Sequence, residues 1–170
     1  YQMDVLMTRA FNHFGPGQAP TFVVADFCRQ VAEIEAGRRE NVIRVGNLAA
    51  KRNFTDVRDV VAAYALLAQK GEKGETYNVG SPASVVIQDL LDKILEMARV
   101  PITVEVDAAK LRPLDVPVVE VDTGKLHSAT GWRPRFALCD TLLETLDYWW
   151  KMVKMAILGG RKSVVTAAAF

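Results

Sequence analysis

Cysteine is almost missing from this chain: Cys28 and Cys139 are the only two in 170 residues, far apart and in no metal-ligand spacing. That excludes a disulfide framework and a zinc ribbon, predicts no metal site, and suits a reducing, cytoplasmic setting. An excess of one charge is also lacking, with 21 Lys and Arg against 20 Asp and Glu and a formal net charge of +1. Because the two signs are interspersed, neither a nucleic-acid stripe nor a polybasic membrane patch is expected. No apolar run approaches the roughly 18 residues of a membrane span, and the start carries no signal-peptide pattern. The sequence has no G-x-G-x-x-G turn after a strand, no Walker loop and no serine elbow. A Tyr-x-x-x-Lys pair is absent too, since Tyr1, Tyr64, Tyr77 and Tyr148 are followed at the fourth position by Val5, Ala68, Ser81 and Met152.

Half of the residues are apolar and about a quarter are charged, an ordinary globular composition with enough chain for one core. Strand and helix patterns alternate, which predicts an α/β fold. Val5-Leu6-Met7 reads as a strand running into the polar turn Thr8 to Gln18. Phe22, Val23, Phe27, Val31 and Ile34 then recur at helical spacing up to Gly37. Val42 to Val45 reads as a strand and Leu48 to Phe54 as a basic loop. Thr55 or Asp56 is placed to cap a helix through Gln69, with Asp59 favoured in its first turn by the helix dipole. Glu75 to Gly80 reads as a strand, and Ile87 to Ala98 as an amphipathic helix bounded by Pro101. Ile102 to Val106 reads as an alternating strand with an apolar face. Two prolines keep Leu111 to Pro117 irregular, so Arg112 and Asp115 are presented on a loop. A short helix from Asp122 or Thr123 stops at Gly131-Trp132-Arg133-Pro134, and Thr141 with Glu144 fits the capping box of a last helix. Past about Lys154 the periodicity decays, marking 154–170 as a tail apart from the domain over 1–153. Only about four strands are expected, too few to complete a doubly wound sheet.

The chemistry-bearing residues cluster on connections. Asn12 and His13 stand between Phe11 and Phe14 at a strand's carboxyl end, on a turn closed by Gly15-Pro16-Gly17 that lets a ligand approach the backbone. The Asn12 amide can hold a phosphate or sugar hydroxyl, or make an Asx-type turn. His13 has no orienting carboxylate nearby in sequence and reads better as structural than as a general acid or base. Lys51, Arg52, Arg58 and Arg112 can form a phosphate clamp, because guanidinium matches phosphate oxygens bidentately; solvated surface charge is the competing reading.

Five stretches, in this order and spacing, resemble one family: T-R-A-F-N-H-F-G-P-G-Q, V-G-N-L-A-A-K-R-N-F-T-D-V-R-D-V-V, E-T-Y-N-V-G-S, L-R-P-L-D-V-P and T-G-W-R-P. Together they are similar to the carboxyl-terminal half of extended short-chain dehydrogenase/reductases, the NAD(P)-dependent nucleotide-sugar epimerases and dehydratases. The likeness is nearest to the branch of GDP-mannose 4,6-dehydratases and GDP-4-keto-6-deoxy-D-mannose reductases. The stretch F-V-V-A-D-F-C-R-Q-V-A-E-I-E-A-G favours the reductases, which make GDP-D-rhamnose. The resemblance implies the last strands of a Rossmann-type sheet with a small α/β substrate-binding subdomain. It implies that Asn12 contacts the sugar diphosphate, that Val45, Asn47 and Leu48 line the nucleotide pocket, and that Arg52 and Arg112 hold phosphate with Asp115 near the nucleoside. It also implies that Phe11, Asn12, His13 and Gly15 line the nicotinamide end of an NAD or NADP site.

Ala10, Asn53, Pro82 and Val86 depart from the motifs, standing where proline, aspartate, glycine and a serine cap are usual. In this family the dinucleotide loop and the catalytic Ser/Thr, Tyr and Lys precede the strand that opens this chain. Opening on Tyr1, the chain is therefore expected to be a fragment with no catalytic residue, no cofactor of its own and no activity alone. A GDP-sugar is the expected ligand. A second copy or a complementary amino-terminal half is the expected protein partner.

Overall fold

The computed structural model describes residues 3–111 and 114–165, the last seven of these by backbone alone. The elements run β1 (Met7–Ala10), β2 (His13–Phe14), α1 (Val23–Glu35), β3 (Val42–Val45), β4 (Lys51–Asn53), β5 (Thr55–Asp56), α2 (Val57–Lys70), β6 (Thr76–Val79) and β7 (Ser84–Val86). They continue through α3 (Ile87–Glu96), β8 (Thr103–Val106), a 3₁₀ turn (Ala108–Lys110), α4 (Gly124–Thr130) and α5 (Leu138–Val165). The fold is α/β. Eight short strands replace the four or so expected, and among the described residues they pair two by two. β1 with β6, β2 with β5 and β3 with β8 run parallel, and β4 with β7 runs antiparallel.

Apolar spacing sorts the helices into two cores. α1, α3 and α5 bury Phe27, Val31, Leu90, Leu91, Ile94, Leu142 and Leu146 against β3. α2 and α4 bury Val60, Ala63, Leu67 and Leu126 against Tyr77, Val79 and Trp132. Cys28 lies fully inside the first core, and burial pushes its thiol up to about 12, so it packs as a small hydrophobe.

Several expectations shift in detail. The first strand spans Met7–Ala10 rather than beginning at Val5. The expected loop over 48–54 contains β4, because Lys51, Arg52 and Asn53 find a partner strand at Val86, Val85 and Ser84. β8 forms, but its expected apolar face stays open, with Val106 64% exposed. The last helix begins at Leu138, so Thr141 is no N-cap; its buried hydroxyl donates to Asp56 Oδ2 at 2.7 Å, with Ala137 O the more distant acceptor at 3.2 Å. That helix runs on to Val165, through the boundary expected at Lys154. Among the described residues, no helix is long and apolar enough to cross a membrane.

Two carboxylates join the two cores. Asp56 caps α2, accepting Arg58 N–H at 2.7 Å, and also takes the Arg58 guanidinium and the Thr141 hydroxyl. Arg58 reaches on to Glu144 at 2.7 Å and lies 3.8 Å over the Phe136 ring. It is thereby removed from any phosphate clamp. Asp59 stands in the first turn of α2 as expected and, buried, also accepts the backbone N–H groups of Arg135 and Phe136 at 3.0 to 3.1 Å. Its carbonyl takes the Trp132 indole N–H at 2.9 Å.

Asp59→Ala removes the charged acceptor of those two N–H groups and is expected to cost about 2–3 kcal/mol, read as a lower urea midpoint. Burial opposes ionisation of Asp56, but the hydrogen bonds from Arg58 and Thr141 outweigh it and hold the carboxyl below the usual 3.8. A depressed folded-state pKa contributes stability above the unfolded value and loses it as pH falls below about 3.8 through the folded one. Urea midpoints between about pH 5 and pH 2.5 should therefore fall more steeply in the parent than in Asp56→Asn.

Candidate functional site

The segment 11–14 is held from both sides by backbone. Phe11 N–H donates to Val79 O at 2.9 Å and Thr55 N–H donates to Asn12 O at 3.0 Å. Phe14 is buried edge-on to Phe54, with ring centroids 6.0 Å apart. The turn is closed by Gln18 Nε2, which donates to His13 O at 2.7 Å. His13 Nδ1 lies 3.1 Å from Phe11 O, a local structural contact. The Asn12 side chain is exposed and bonds to no other described residue, so no Asx-type turn consumes its amide.

A cavity of ≈ 880 Å³ opens beside this segment. Phe11, Asn12, His13, Asn47, Leu48, Arg52 and Asp115 all line it, brought together from four separate parts of the chain. Two expected residues do not. Val45 is wholly buried in the core, since its strand position faces α1 and not the cavity. Gly15 lies under α2, where an added Cβ would meet Val57 Cγ1 at 3.0 Å. Arg112 lies outside the described residues. Lys51 points elsewhere, pairing with Glu120 at 3.4 Å.

Arg52 is the basic loop residue whose side chain does face the cavity. Strand alternation in β4 sends it one way and Asn53 the other. Asn53 is buried and ties β4 to the next connection, donating to Ser81 O at 2.6 Å and accepting Ser81 N–H at 2.9 Å. The departure from aspartate at this position thus has a structural use, because an amide can both donate and accept. The Arg52 guanidinium pairs with Asp115 and donates to Lys51 O at 2.9 Å.

The opposite wall carries charges that sequence reasoning passed over: Asp26, Arg29, Arg39, Arg44 and Lys110. Lys110 Nζ reaches Asp26 Oδ2 at 2.5 Å and Arg44 O at 2.9 Å, tying the 3₁₀ turn to α1 and β3. Gln30, fully buried, completes the tie by bonding Asp26 and both backbone groups of Arg44. On the sequence these are polar positions of an amphipathic helix and its neighbours, with no motif to mark them. Gly46 makes room for the turn: a Cβ there would stand 2.7 Å from Lys110 O.

The geometry gives an open, mixed-polarity cavity lined by the exposed Asn12 amide and by cations each paired with a carboxylate, a lining suited to a polar ligand. Among its described lining there is no nucleophile paired with a base. The sequence has no glycine-rich strand–turn–helix of the kind that cradles a dinucleotide pyrophosphate.

Comparison with known proteins agrees in fold. The family model described as GDP-mannose 4,6 dehydratase matches residues 1–145. GDP-6-deoxy-D-mannose reductase of Pseudomonas aeruginosa is 36% identical over 150 residues, covering 88% of this chain and 49% of that protein. Human dTDP-D-glucose 4,6-dehydratase is 26% identical over 168 residues, covering 92% of this chain and 46% of its own length. The solved structure of RMD from Pseudomonas aeruginosa complexed with NADPH superposes with a TM-score of 0.82 at 36% identity, covering 88% of this chain and 49% of that one. The chain spans about half the length of the curated relatives it matches.

Gly46→Ala should force the 3₁₀ turn off β3 and weaken the Lys110–Asp26 tie, at a cost of about 1–3 kcal/mol. Thermal unfolding with and without a Lys110→Met background checks this, since the two losses should not add.

Proposed function

Because the chain belongs to the GDP-mannose 4,6 dehydratase family within the extended short-chain dehydrogenases, we propose that it is the nucleotide-sugar-binding half of an NAD(P)-dependent reductase. Its ligand is a GDP-linked 4-keto-6-deoxymannose. The observation that carries this reading is the convergence of Asn12, Asn47, Leu48, Arg52 and Asp115 on one cavity. Those are positions at which the family's motifs call for sugar-nucleotide contacts. The reductase is favoured over the dehydratase by the 36% identity to a GDP-6-deoxy-D-mannose reductase.

In this reading the Asn12 amide donates to a phosphate or sugar oxygen. Arg52 faces the diphosphate, joined by Arg112. Asn47 and Leu48 line the nucleoside end. Phe11 and His13, held by the backbone bonds around Asn12, shape the side on which the sugar meets the nicotinamide. The cofactor, when bound, supplies hydride to the C4 ketone, and the proton for the new hydroxyl comes from a tyrosine outside this chain. What this chain contributes is binding energy and orientation of the sugar.

Alone, the chain is expected to bind GDP without reducing or dehydrating a GDP-sugar. Titration calorimetry should show GDP binding that Arg52→Ala weakens by about 10–100-fold, the effect of hydrogen bonds to a charged partner. Equal affinity of parent and variant rejects Arg52 as a phosphate ligand. Turnover by the chain alone rejects the division of labour.

A further inference from the structure

Helix α5 is apolar on more than the side it buries. Leu142, Leu146 and Val153 are buried, and Trp149 and Trp150 pack against the first core. At about 100° per residue, the opposite side carries Asp140, Glu144, Asp147, Lys151, Met155 and Leu158. Met155 is 63% exposed and Leu158 is 53% exposed, with Met152 open beside them. Water alone favours polar residues at such positions, so the second half of this face lacks a neighbour. No residue of α5 is among the described lining of the cavity, which separates this face from nucleotide binding.

The charges on the face are segregated. Asp140, Glu144 and Asp147 come first, Lys151 and Lys154 follow, and the sequence has no acidic residue after Asp147. A helix's own dipole favours acids early and bases late, but only within its first and last turns. Lys151 and Lys154 stand mid-way along a helix of 28 residues. Lys151 pairs with Asp147 at 2.5 Å and Glu144 with Arg58 at 2.7 Å, while Lys154 and Asp140 form no ion pair among the described residues. An acidic half followed by a basic and apolar half is complementary to its own reverse. An anionic bilayer fits it less well, because three carboxylates share the face with Met155 and Leu158.

We propose that α5 is a self-association surface on which two copies of this chain pair antiparallel. A two-fold axis at the level of residue 149 sets Glu144 of one copy level with Lys154 of the other, and Asp147 level with Lys151. Met155 and Leu158 then lie along the first two turns of the second helix, where Leu143 is a further exposed apolar side chain. The two helix dipoles also oppose each other. A patch that pairs with itself about a two-fold closes as a dimer. From Asp140 to Leu158 the face is only about 27 Å long, so the dimer is expected to be concentration-dependent.

Sedimentation velocity on the whole chain, over a concentration series, should show monomer–dimer exchange that weakens at about 1 M salt. Met155→Lys should raise the dimer dissociation constant at least about 10-fold and leave thermal unfolding of the monomer unchanged, since that side chain is exposed in the single copy. Glu144→Lys and Lys154→Glu should each weaken the dimer similarly, and the double variant should recover most of the affinity. Positions 144 and 154 are about 15 Å apart along one helix, so the rescue reads a contact between copies. Cys139 is exposed and Cys28 is buried, so a spin label on Cys139 should report a separation of about 30 Å in the dimer, from ten residues of helical rise on either side of the axis. A separation near the roughly 10 Å of a parallel helix pair, losses that add in the double variant, or a monomer at every concentration would overturn the proposal. A chain that stays monomeric in solution yet binds anionic vesicles through Lys151 and Lys154 overturns it in favour of a membrane surface.

Discussion

Two backbone hydrogen bonds on either side of one residue organise this protein. Phe11 N–H to Val79 O and Thr55 N–H to Asn12 O fasten the end of β1 between β6 and β5. Backbone amides satisfied in this way need no help from side chains, so the Asn12 amide is left exposed at the cavity. The same bonds bring the start of α2 against the glycine turn, where the Val57 side chain lies 3.0 Å from the place a Gly15 Cβ would occupy. Close packing at that junction sets where β4 and its Arg52 emerge.

Charge is used here in pairs that do different work. Asp56 and Asp59 are buried: Asp59 takes backbone donors of the α4–α5 connection, and Asp56 takes Arg58 together with the Thr141 hydroxyl of α5, joining the two halves of the core. Lys110 with Asp26 straps one wall of the cavity, and Arg52 with Asp115 stands on another. Lys51, Arg52 and Arg58 look alike in sequence, as basic groups on a loop or a first turn. Their enclosure and partners separate them: Arg58 is locked in a structural cluster, Lys51 pairs outward with Glu120, and Arg52 remains at the cavity.

The helices were legible because their signals are local. Apolar recurrence at three and four residues marks α1, α2 and α3 to within a few positions, and Asp56 is recognisable as a cap from its place alone. Strands of two or three residues carry too little period to announce themselves, which is why β2, β4, β5 and β7 were not anticipated. Thr141 satisfied the pattern of a capping box, but an acceptor 85 residues away claimed its hydroxyl. Val45 and Asn47 are two residues apart, yet only the second reaches the cavity, since the first faces the core.

The amino-acid sequence by itself determined the α/β class, the helix faces, the family and seven of the residues that line the cavity, from Phe11 to Asp115. Each of these follows from nearest-neighbour spacing or from a motif whose members share a segment. Only the tertiary structure decided which cations face a ligand, that Asp59 anchors the turn after α4, and that Asp26, Lys110 and Asp115 are tied to partners 84 and 63 residues away. The physical reason is that an ion pair depends on distance in space, and chain separation leaves no trace of it in local pattern.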